Sequence, residues 1–126
     1  MTIINTPNAP APIGPYNQAI IHNGIMYMSG QIALHPTTGE LVTTNIKAET
    51  KQVMDNIAAI LAAANTNFNN IIKTTIFITD MKQFAEINEV YGSYFNSHYP
   101  ARETVQVSAL PKFVNVEISI TVVVNG

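Results

Sequence analysis

Residues 114–124 read VNVEISITVVV, and that alternation leaves little freedom in how the chain folds. Val114, Val116, Ile118, Ile120, Val122 and Val124 fall on one side of an extended strand, and Asn115, Glu117, Ser119 and Thr121 on the other. A strand of this kind buries one face and offers the other to solvent or to a polar partner, so the chain has to build layers around a sheet.

Other segments supply the rest of those layers. Residues 17–34 contain two β-rich runs around Asn23-Gly24, a pair that tolerates positive φ at both positions and predicts a hairpin. Ile46, Val53, Ile57, Ile60, Leu61 and Ala64 recur at helical spacing and predict a helix over about 45–64. IIKTTIFIT, from residue 71, is short and β-branched and reads as a buried strand. Asp80 with Gln83 resembles a capping box, opening a second helix with Phe84, Ile87, Tyr91, Tyr94 and Phe95 as its apolar stripe and Pro100 as its close. Strands over about 103–109 and 114–124 follow, with a turn at Leu110-Pro111-Lys112. The expected order is β-β-α-β-α-β-β, an α+β sandwich of two layers with both helices on one face of the sheet, in one domain spanning residues 1–126.

No further helix is available for the other face, and composition suggests what covers it. Charged residues are 11% of the chain, against about 25% in an ordinary soluble domain, and the net charge is −2. A polar but weakly charged sheet face suits a subunit interface, so self-association is expected. Five lysines and a single arginine, all scattered, form no basic patch, and nucleic acid is not an expected partner. No apolar run approaches the roughly 18–20 residues that a bilayer requires, so no membrane span is expected. The N-terminal MTIINTPNAPAPIGPY lacks the basic leader and unbroken apolar core of a signal peptide, which favours the cytoplasm. Cysteine is absent, which removes thiolate chemistry, and His22, His35 and His98 lack metal-ligand spacing and read as surface or turn residues. No metal or cofactor is expected.

The chemistry concentrates in YPARETVQVSALPKFVNVEISI, residues 99–120. It holds Arg102, the only arginine, and Glu117 among β-branched neighbours. Alternation places Arg102, Thr104, Gln106 and Ser108 on one side of their strand. If the two strands form a hairpin, Gln106 lies opposite Glu117, and Arg102 sits on the order of 13 Å away along the same semi-polar face. A gap between a guanidinium and a carboxylate suits a small anionic ligand, since Arg grips a carboxylate through two parallel hydrogen bonds. An ordinary structural or interface salt bridge is the alternative for these residues.

Pro100-Ala101-Arg102, followed fifteen residues later by Glu117 in VEISI, resembles the signature of the Rid (YjgF-type) family of imine and enamine deaminases. IGPYNQA, MSGQI, KTTIFITDM and FAEINEVYGSYF agree in order, so the resemblance spans nearly the whole chain. It implies a chorismate-mutase-like fold and a homotrimer packed through its sheets, with active sites in clefts between subunits. It also implies hydrolysis of 2-imino acids such as 2-iminobutanoate and 2-iminopropanoate to 2-keto acids and ammonia. Arg102 would bind the substrate carboxylate and Glu117 would activate water, with Thr104 beside that water. Tyr16, Ser29, Gly30 and Asn88 would line the pocket. Each also has a plain structural reading: Tyr16 as an anchor of the N-terminal arm, Ser29-Gly30 as a strand end, and Asn88 as a residue at the margin of the helical stripe. Many relatives carry Cys at the position of Thr104 and an acidic residue at that of Ser119. Two other functions remain open: non-catalytic sensing of small 2-keto or carboxylic acids in the same clefts, and the nuclease or translation-inhibitor role attached to some relatives, against which the low charge weighs.

Overall fold

A computed structural model describes residues 1–124 of the chain. Six strands and two α-helices follow in the order β1 (Thr2–Ile4), β2 (Ala19–His22), β3 (Ile25–Met28), α1 (Ile46–Ala63), β4 (Ile71–Ile78), α2 (Phe84–Gly92), β5 (Ala101–Gln106) and β6 (Val116–Val123). They make one mixed sheet of order β1-β2-β3-β6-β4-β5. Among these pairs only β4 and β5 are parallel, joined by the crossover that α2 provides. No helix among the described residues is long and apolar enough to cross a membrane.

Local chemistry sets most of these elements. Asn23 and Gly24 have φ of 51° and 77°, the twist that closes the β2–β3 hairpin. Asn45 caps α1, its side chain accepting from the Ala48 amide at 2.8 Å. From there Val53, Met54, Ile57, Ile60 and Leu61 pack into one core with Ile76 and Ile78 of β4 and Val116, Ile118, Ile120 and Val122 of β6. Burying this shared face of helix and sheet is the main stabilising term of the fold. A smaller apolar cluster, Ile32, Leu34, Leu110 and Val114 with Phe77 against it, lies apart from that core.

Three expectations change. A sixth strand, β1, pairs with β2; with only three residues it is too short to display an alternation. Asp80 does cap, but it caps a 3-10 turn over Met81–Gln83, accepting from the Lys82 amide at 2.9 Å, and α2 begins only at Phe84. That helix ends at Gly92, well before Pro100. Gly92 and Ser93 are poor helix residues, and the Ser93 hydroxyl folds back onto the Val90 carbonyl at 2.6 Å. Tyr94 and Phe95 therefore lie past the helix, where Phe95 still packs on Tyr91.

The third change matters most. β5 and β6 do not form a hairpin: β6 pairs with β3 on one side and β4 on the other, and β5 lies beyond β4 at the sheet edge. Glu117 is paired with Phe77 rather than Gln106, and Gln106 is paired with Ile78. The physical reason is burial. β6 carries an apolar face that needs the centre of the sheet, whereas ARETVQ of β5 is largely exposed and suits an edge.

Candidate functional site

Register decides where each predicted residue points. Arg102 and Thr104 pair with Thr74 and Ile76 of β4, both fully buried on the helix side, so they too face the helices. Glu117 and Phe77 pair on the opposite face. The expected semi-polar face holding both Arg102 and Glu117 does not exist within one chain. They line two separate cavities, each a candidate half-site.

The first half-site surrounds Glu117. Ser29 and Gly30 leave the end of β3 and run beside it, and the bridge between Gln31 and Ile118 ties that segment to β6 through amide–carbonyl bonds of 2.8 and 3.1 Å. The approach is so close that a Cβ on Gly30 would stand 2.8 Å from the Glu117 carboxyl carbon and from Oε2. Gly30 is thus needed for space rather than for an unusual φ. A cavity of about 430 Å³ opens here, lined by Tyr16, Ser29, Gly30 and Glu117 together with apolar residues such as Ile13 and Leu34. Glu117 is half-buried, and desolvation pushes its carboxyl above the usual range. It takes part in none of the ion pairs among the described residues.

The N-terminal arm forms one wall of this cavity, and Gln18, which lies in the IGPYNQA segment but is not among the predicted site residues, holds it there. Gln18 is buried; its Oε1 accepts from the Thr6 amide at 2.7 Å and its Nε2 donates to the carbonyls of Thr6 and Pro10 at 3.0 and 2.9 Å. The Ser29 hydroxyl donates to the Asn17 carbonyl at 2.7 Å. Tyr16 is 45% exposed, its hydroxyl accepting only a long bond of 3.4 Å from the Ile13 amide, so its ring edge is available to a ligand.

The second half-site surrounds Arg102. Its Nη1 donates to Asn88 Oδ1 at 2.7 Å, and its guanidinium carbon lies 5.2 Å from the Tyr91 ring centre and 5.6 Å from that of Phe84. These two aromatics, expected from the sequence to be core stripe, stack against the cation from α2. Tyr91 is itself braced by donating to Thr74 Oγ1 at 2.9 Å. No carboxylate of the described residues pairs with Arg102, so most of its fork is uncommitted. A cavity of about 350 Å³ beside it is lined by Asn88, Tyr91, Tyr99 and Pro100. On the same face of β5, the Thr104 hydroxyl is buried with no hydrogen-bond partner.

The structure therefore groups Tyr16, Ser29, Gly30 and Glu117 in one cavity and Asn88 with Arg102 in another, with Thr104 on the strand of the second. Among the described residues, no three His, Asp or Glu side chains converge in a way that could hold a metal ion. His35 serves its own turn, its Nδ1 accepting from the Thr37 amide at 3.1 Å.

A mixed six-stranded sheet of this order with two helices packed on it defines a two-layer α+β domain of the YjgF/L-PSP type. The chain belongs to the Rid family, and the family model described as Endoribonuclease L-PSP matches residues 6–124. It is 51% identical over 116 residues to a RutC family protein of Pyrococcus horikoshii, covering 92% of each chain. It is 44% identical over 116 residues to the human 2-iminobutanoate/2-iminopropanoate deaminase, covering 92% of this chain and 85% of that one. Among solved structures, a Rid family protein of Yersinia pestis superposes with a TM-score of 0.95 at 50% identity, covering 98% of each chain. E. coli TdcF with bound serine superposes with a TM-score of 0.93 at 42% identity, again covering 98% of each.

Proposed function

We propose that this protein hydrolyses small 2-imino acids, among them 2-iminobutanoate and 2-iminopropanoate, to 2-keto acids and ammonia. The observation that carries the reading is the Arg102 guanidinium, stacked on two aromatic rings and braced by Asn88 but without an acidic partner among the described residues. A preorganised, uncommitted fork of this kind selects a carboxylate. The deaminase relatives and the serine held by TdcF support a small carboxylate-bearing ligand.

Catalysis needs Arg102 and Glu117 around one substrate, and a single chain holds them on opposite sides of its sheet. The site is therefore completed by another copy, Arg102 of one subunit facing Glu117 of the next in a homotrimer built through the open sheet faces. Arg102 fixes the carboxylate and so the imine carbon. Glu117 takes a proton from water as its oxygen adds to that carbon, and returns it to the nitrogen of the tetrahedral adduct. The C–N bond then breaks and ammonia leaves, while the adduct's hydroxyl gives up its proton to Glu117 as the carbonyl forms; release of that proton to solvent resets the carboxylate. Burial raises the Glu117 carboxyl above its usual range and so makes its carboxylate a stronger base, which suits such a shuttle. The reaction fits a cytoplasmic setting beside the pyridoxal-phosphate enzymes that release imines.

The test is a panel of imines generated in situ, with keto-acid release as readout. Arg102→Ala and Glu117→Gln each abolish acceleration, yet mixing and reassembling the two inactive proteins restores about a quarter of the sites, because each supplies what the other lacks. Failure of the wild type to accelerate any imine removes the proposal, and failure to complement removes the shared site. The second reading, retention of a small carboxylic acid without turnover, draws on the serine in TdcF; binding that needs Arg102 but brings no rate effect would select it.

A further inference from the structure

Helix α1 carries three buried polar side chains that the proposed reaction does not use, and two of them, Glu49 and Asn56, reach beyond their own helix to backbone elsewhere. Glu49 is fully buried, and all of its side-chain bonds go to the entrance of β6. Oε2 accepts from the amides of Asn115 and Val116 at 2.7 and 3.2 Å, and Oε1 accepts from Asn115 Nδ2 at 2.7 Å. It forms none of the ion pairs among the described residues. Asn56 is 1% exposed, and its Nδ2 donates to the carbonyls of Ile32 and Leu34 at 3.2 and 2.9 Å.

These positions are seven apart, two turns of helix, so both lie on the face that α1 turns to the sheet. Each grips backbone next to a residue of the Glu117 half-site. Asn115 and Val116 lead directly into Glu117; Ile32 and Leu34 follow Ser29 and Gly30. The two gripped segments are also paired with each other through Gln31 and Ile118. A buried carboxylate is costly to desolvate, and an apolar side chain would fill the same space in the core. What the polar pair adds is a defined distance between two strands of backbone. That distance is critical where Gly30 leaves no room for even a methyl group beside the Glu117 carboxylate.

We infer that Glu49 and Asn56 are positioning residues, through which α1 sets the separation between the Ser29-Gly30 segment and β6 and hence the aim of the Glu117 carboxylate. The inference deepens the proposed reaction and rests on it for its kinetic readout only.

The experiment uses Glu49→Gln in the full chain, which keeps side-chain volume but replaces one acceptor oxygen with a donor that faces amide N–H groups. Its kcat falls roughly tenfold or more, because small displacements of a reacting group are expensive. KM for the imine and affinity for 2-oxobutanoate, both set at Arg102, stay within about twofold. The carboxyl ¹³C resonance of Glu117 shifts. Thr50→Val is the control: it removes a buried α1 hydroxyl bonded only to Ile46 of its own helix, and it leaves kcat and the Glu117 resonance in place.

An unmoved resonance with kcat within about twofold of wild type overturns the inference, as does an equal loss in Thr50→Val. If Glu49→Gln does not fold, Asn56→Ala takes its place: a fall in kcat with shifted amide resonances of Ser29 and Gly30 supports the positioning role, and no change in either overturns it. A wild type that turns over no imine defeats the proposed reaction instead, and the resonances alone then decide the positioning role.

Discussion

Arg102 and Glu117 stand on opposite faces of one sheet, two strands apart, with Thr74 and Phe77 of β4 paired between them. Within one chain they line different cavities. Each is prepared separately: the arginine by aromatic stacking and Asn88, the glutamate by desolvation and the close passage of Gly30.

Replacing Arg102 with Lys keeps the charge and loses both the planar fork and the stacking over Tyr91 and Phe84. We expect kcat/KM for 2-iminobutanoate to fall roughly a hundredfold, mainly through KM. A rate close to wild type in a coupled keto-acid assay would place the carboxylate elsewhere.

Gly30→Ala drives a methyl group into the Glu117 carboxylate. The atoms it meets are the far end of a flexible side chain, so Glu117 swings aside at a cost of about 1 kcal/mol. The expected result is a folded protein with near-normal thermal stability and at least tenfold lower kcat. Retention of full activity would contradict the close approach, and loss of folding would show that Glu117 cannot swing aside.

Burial raises the Glu117 carboxyl above its ordinary value, so the folded state holds that proton more tightly than the unfolded chain does. Stability from this source is complete below the unfolded pKa and is lost as pH rises through the folded one. Glu117→Gln should therefore melt at a higher temperature than wild type at neutral pH, and the difference should vanish in acid. A higher melting temperature for wild type at neutral pH would mean that the carboxylate is stabilised by a partner.

The Thr104 hydroxyl is buried without a hydrogen-bond partner among the described residues. Thr104→Val should leave stability unchanged or raise it by up to about 1 kcal/mol. If the hydroxyl meets the attacking water in the assembled cleft, kcat falls several-fold in the same protein. Chemical denaturation and turnover, measured together, separate the two effects.

Tyr91→Phe retains the ring beneath Arg102 and removes the donor to Thr74, whose side chain is fully buried. The orphaned hydroxyl should cost roughly 1–2 kcal/mol of stability with kcat/KM nearly unchanged. Tyr91→Leu, which also removes the π-face, should lower kcat/KM.

Much of the molecule was legible because its signals are local. The Asn23-Gly24 turn depends on two residues that accept positive φ, and α1 on an apolar period that fits one helical face. The family signature marked Arg102, Asn88 and Glu117 by position alone. Gln18, although inside the IGPYNQA segment, and Glu49 give no sign of their buried roles, since a glutamine before a strand and a glutamate in the first turns of a helix look like surface residues. Their partners, the backbone of residues 6–10 and of 115–116, come near only once the layers pack. The end of α2 was misplaced for a related reason: Tyr94 and Phe95 continue the apolar stripe because they pack on the core, although the helix has already stopped.

Alternation along each strand determined that Arg102 shares a side with Thr104, and Glu117 with Ser119. It could not determine whether those two sides are the same side of the sheet. A period of two is silent on which strands are neighbours, and neighbours were chosen by burial: the apolar face of β6 took the centre, β4 came between, and the exposed β5 was left at the edge. Only that tertiary choice sent the guanidinium toward the helices and the carboxylate away from them, into two separate cavities.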